Sequence, residues 1–105
     1  SYCTQQHWAT IGGRLYLLYC RPSGHNDHVF RHRAPIFIAE VDPERLQVIR
    51  DTERTAVPEN NAGMGNFGVC QIDDNESWVT VGEGMRSGPR EGDINNVLLA
   101  KIVAV

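Results

Sequence analysis

Cysteine is scarce in this chain of 105 residues. Cys3, Cys20 and Cys70 lie far apart, with no Cys-x-x-Cys pair. An odd number cannot complete a disulfide framework, so reduced thiols are expected. Lysine is scarcer still. Lys101 is the only one, and ten basic against thirteen acidic side chains leave a net charge of −3. That balance is unlike the basic surface of a nucleic-acid binder, and no nucleic-acid partner is expected. Long apolar runs are missing, so no membrane-spanning segment is expected. No signal peptide is visible either, and with the unpaired thiols this favours a cytoplasmic location. The apolar spacing of an amphipathic helix is almost absent.

What remains is a row of short strands. Runs rich in Val, Ile, Leu, Tyr and Trp alternate with clusters of Gly, Pro, Asn and Asp, the pattern of an all-β chain. The first strand is His7 to Ile11, and Gly12-Gly13 supplies the positive φ angles of a tight hairpin. Arg14 to Cys20 returns as the second. A polar loop, Arg21 to Arg33, precedes the third at Ala34 to Asp42, after which Pro43 presets φ for a turn. The more polar fourth, Leu46 to about Arg54, suits an edge. After a loop from Thr55 to Gly65 come Asn66 to Ile72, Ser77 to Glu83 and, beyond the loop Gly84 to Asn95, the seventh strand Asn96 to about Val103.

An internal repeat underlies this order. Ile36 to Val41 overlays Val97 to Ile102 at an offset of 61, with Ala39 on Ala100, and Trp8 overlays Phe67 at an offset of 59. The expected architecture is therefore all-β, with two antiparallel four-stranded propeller-type blades. Blade one spans about 7–54. Blade two, about 66–103, has three strands in the chain.

The phrase Gly13-Arg14-Leu15-Tyr16-Leu17-Leu18-Tyr19 resembles the second strand of a sialidase-type (BNR-repeat) blade. His25 to Glu53 and Gly65 to Gly84 are similar to the C-terminal blades of bacterial sialidase-like glycoside hydrolases. The family's aspartate box, Ser-x-Asp-x-Gly-x-Thr-Trp, has a partial echo from Gln71 to Trp78. Asp73, Ser77 and Trp78 fit; Gln71 and Asn75 do not. The resemblance implies two of six blades. Two blades cannot close a ring, and their outer faces and open edge would stay bare. A homo-oligomer solves this, and a cyclic trimer would supply six blades. A self-contained seven-stranded sandwich is the rival architecture.

A meander places its short turns at one end and its long loops at the other, and the long loops are the expected site. Loop 21–33 is locally basic. Arg31 and Arg33 are candidates for holding an anionic or carbohydrate ligand, with His25 in the loop and His7 and Asn66 at the starts of the inner strands. Glu83, at the end of a second strand, and Asp27 are the carboxylates available if the protein is a glycosidase, which needs two. So little of the family's site is assignable that ligand binding is expected rather than catalysis. His25, Asp27, His28 and His32 have metal-ligand residue types, but they are not on a helix that would present one face, so no metal and no cofactor are expected. Gly63 to Gly68 matches Gly-x-Gly-x-x-Gly, yet it precedes a strand and no helix follows, which excludes a dinucleotide fingerprint.

Overall fold

The computed structural model describes residues 5–26, 29, 33–58, 62–86 and 97–104. Those residues form nine strands, β1 (His7–Ile11), β2 (Arg14–Tyr19), β3 (Ile36–Asp42), β4 (Gln47–Val48), β5 (Arg54–Val57), β6 (Ala62–Met64), β7 (Gly68–Asp73), β8 (Glu76–Arg86) and β9 (Val97–Val103). The protein is all-β, and its strands make two antiparallel sheets. In sheet 1, β1 pairs β2, β2 pairs β3, and both β4 and β5 pair β3. In sheet 2, β6 and β7 lie end to end along one edge of β8, and β9 takes the other. Sheet 1 is thus a four-stranded meander with a broken last strand. Sheet 2 is a three-stranded one with a broken first strand.

The expected fourth strand, Leu46 to Arg54, is interrupted by a 3-10 turn at Arg50–Thr52. Thr52 explains the break. Its hydroxyl donates to the Ile49 carbonyl (2.6 Å) and accepts the Glu40 amide (2.8 Å), so a side chain fills a ladder position. Pairing resumes at Arg54 and runs to Val57, inside the segment expected to be loop. β6 also falls in that segment. Its Ala-Gly-Met sequence has no alternation, and it is a strand because β8 extends to Arg86 and pairs it.

The registers place Ala9 opposite Tyr16 and Cys70 opposite Trp78, with Glu40 and Lys101 completing the two rows. The repeat therefore holds at an offset of 61 to 62 throughout. Trp8 corresponds to Val69, not to Phe67 as the sequence overlay suggested, because the glycine-flanked approach to β7 hides the frame.

The sheets face each other, β1 beside β7 and β5 beside β9. Ala9, Ile11, Leu18, Ile36 and Ile38 of sheet 1 meet Val79 and Val81 of β8, with Val69, Ala100 and Ile102 packed around them. Strand alternation sends these residues inward and their neighbours outward. At the short-turn end the two hairpin tips join. The Gly12 amide donates to the Asp74 carbonyl (2.7 Å), and the Ala104 amide donates to the Asn75 carbonyl (2.8 Å). Gln71 reaches across and donates through Nε2 to the Thr10 carbonyl (2.6 Å), while Ser77 donates to its Oε1 (3.1 Å).

Candidate functional site

Loop 21–33 leaves β2 at the long-loop end, and buried Asn26 organises its start. Asn26 Nδ2 donates to the carbonyls of Arg21 and Ala34 (both 2.9 Å), and its Oδ1 accepts the Ser23 amide (3.0 Å). One side chain thus satisfies backbone groups on both arms of the loop.

Beside it, Arg21 folds back over the outer face of sheet 1. Its guanidinium carbon stands 4.7 Å from the centroid of the Phe37 ring, a cation–π contact. Glu53, placed just before β5, receives both arms of the fork, Nε to Oε2 at 2.9 Å and Nη2 to Oε1 at 2.5 Å. Tyr19 donates its hydroxyl to the same Glu53 Oε2. The Arg21 hydrogen bonds hold the Glu53 carboxyl below its ordinary value of 4.5, and the same bonds push Arg21 upward. Burial pushes the Tyr19 hydroxyl up to about 12, helped by its hydrogen bond to Glu53. Arg21 charge is neutralised within this cluster.

A cleft of about 450 Å³ opens above the cluster, with Arg21, Ser23, His25, Pro35, Phe37 and Thr55 in its walls. It offers a mixture of apolar surface and hydrogen-bonding groups, the composition of a small-molecule site. His25 therefore lines a cleft at the long-loop end. His7 lies elsewhere, between the sheets, where its ring meets Phe67 edge-on (4.9 Å, 70°) and its Nε2 is 3.0 Å from Gln5 Oε1. Asn66, next to Phe67, is exposed and Arg33 half-buried; neither lines this cleft. Glu83 is 2 % exposed and lines none of the three described clefts. Asp27 and Arg31, with His28 and His32, lie outside the described residues. Among the described residues no group of three His, Cys, Asp or Glu side chains is placed to hold a metal ion.

Sequence reasoning missed Glu53, Phe37 and Asn26. Glu53 carries no local signal, and it joins Arg21 only because β5 returns to pair β3. Phe37 reads as one more strand residue, although it faces outward.

No family model, no curated protein and no solved structure matches this chain.

Proposed function

We propose that this protein is a ligand-binding, self-associating β-sheet arc whose long-loop end takes a small carbohydrate. The observation that carries this reading is the cleft over Phe37, where Ser23 and His25 stand beside a neutralised guanidinium. With Arg21 already paired to Glu53, the cleft suits the hydroxyl groups of a polyol better than a second strong anion. The planar guanidinium of Arg21, held over buried Phe37, is the flat surface offered to a sugar ring. Hydrolysis is outside the reading, because buried Glu83 is absent from the walls of this cleft.

Self-association is proposed from the outer faces. Trp8, on the outer face of sheet 1, is 57 % exposed, and on sheet 2 Val97 and Leu99 are 79 % and 49 % exposed. Stacking sheet 2 of one chain on the Trp8 side of sheet 1 of the next would cover these exposed side chains, and three chains would form a six-sheet ring.

The test is titration calorimetry with a panel of neutral and carboxylated mono- and disaccharides. Saturable binding of a neutral sugar, weakened at least tenfold by His25→Ala together with Ser23→Ala, is expected. Failure of every neutral sugar to saturate the protein overturns the reading.

A further inference from the structure

Along one edge of β9 the repeat leaves sheet 2 incomplete among the described residues. The repeat maps β3 onto β9, and the matching edge of β3 is covered by β4 and β5. Among the described residues no strand pairs that edge of β9. An unpaired edge presents a row of backbone donors and acceptors to any extended chain.

Here the edge lies in a groove. Two cavities, about 440 and 240 Å³, follow one another along it. The first lies between Arg54, Thr55 and Ala56 of β5 and Lys101, Ile102 and Val103 of β9. The second lies between Ala56, Val57 and Pro58 and Leu98, Leu99 and Ala100. Ala56 borders both, so the groove is continuous. With β5 as its opposite wall, the groove takes the place that a fourth strand of sheet 2 would fill.

The groove also has a polarity. Arg54 and Lys101 both flank the first cavity, and no acidic residue lines either one. Arg54 Nη1 donates to the Glu53 carbonyl (3.0 Å), and Lys101 Nζ sits 5.0 Å from the Trp78 ring centroid. Neither cation meets a carboxylate among the described residues. At the other end the walls are Val57, Pro58, Leu98 and Leu99, all apolar.

We propose that this groove is a strand-acceptor site for an extended segment of a partner protein. The segment runs antiparallel to β9, as β5 runs antiparallel to β3. It turns apolar side chains at alternate positions toward Leu98, Ala100 and Ile102. Its N-terminal end carries a carboxylate that meets Arg54. Backbone pairing supplies affinity, and the alternating pattern with its acidic tip supplies selectivity.

The probe is a synthetic peptide of alternating valine and threonine, acetylated and led by one glutamate, with a second peptide led by lysine. Amide hydrogen exchange of the full chain is followed by NMR. The glutamate peptide is expected to slow exchange at alternate amides of β9 at least tenfold and to bind about tenfold more tightly than the lysine peptide. Arg54→Glu is expected to reverse that preference, a swap that loss of folding does not produce. Absence of protection with both peptides overturns the proposal, as does equal binding of the two. β9 protection that grows with protein concentration alone also overturns it, because a second copy would then be the occupant. Light scattering on the same samples reports ring assembly separately, so failure of one reading leaves the other standing.

Discussion

Glu53 is the residue on which the long-loop end turns. It receives the Arg21 fork and the Tyr19 hydroxyl, so replacing one carboxylate oxygen by an amide NH2 removes the charge and sets a donor against a donor. Glu53→Gln should lower unfolding free energy by about 1–3 kcal/mol in urea titrations at neutral pH. The pH dependence has a definite sign. The folded carboxyl lies below 4.5, so the folded state binds fewer protons, and the stabilisation is present above 4.5 and fades as pH falls through the folded value. Tyr19 acts at the other extreme. Its hydroxyl is raised from 10.0 to about 12, so its contribution is intact below 10 and is lost as pH rises through about 12. Stability measured against pH should lose its acid limb selectively in Glu53→Gln. Asn26 was equally hidden in the sequence, since a loop asparagine reads as a turn former. Only the fold reveals that it serves carbonyls on both sides of the loop. Asn26→Ala should cost about 1–3 kcal/mol by the same titration, because buried carbonyls lose their donor.

Among the elements, the β1–β2 hairpin was the most legible. Gly12 and Gly13 take φ of +60° and +79°, as a two-residue turn requires. Their environments differ. A Cβ on Gly12 would stand 3.1 Å from the Ala104 Cβ, whereas one on Gly13 meets nothing within 4 Å. Gly12→Ala should therefore cost more than Gly13→Ala, whose penalty is about 1–2 kcal/mol of backbone strain. Thermal unfolding of the two variants checks the order. β4 and β5 were half legible. Edge placement followed from their polarity, but the 3-10 break did not, because it depends on the Thr52 hydroxyl reaching the Glu40 amide across the sheet.

For the whole molecule, the exposed outer faces are where the proposed self-association is tested. Leu99→Asp on sheet 2 and Trp8→Ser on sheet 1 each place a polar group on a face that the ring reading stacks on a neighbour. Light scattering should give three chains per particle for the wild type and single chains for either variant. A wild-type monomer would return the protein to a free-standing two-sheet sandwich. The same scale explains why the expected site was only partly legible. His25 lines the cleft over sheet 1, while His7 packs on Phe67 between the sheets. A shared end of the strands does not imply a shared face.

The sequence by itself determined the strand content, the tight hairpins and the repeat, because alternation and turn chemistry are local and leave their mark residue by residue. Tertiary structure alone decided the rest. It broke two strands, set the true frame of the repeat, joined Arg21 to a carboxylate at the foot of another strand and laid β5 beside the edge of β9 that no described strand pairs. Each of these depends on which backbone groups meet across a sheet or between sheets, and that pairing is a property of the assembled chain rather than of any segment within it.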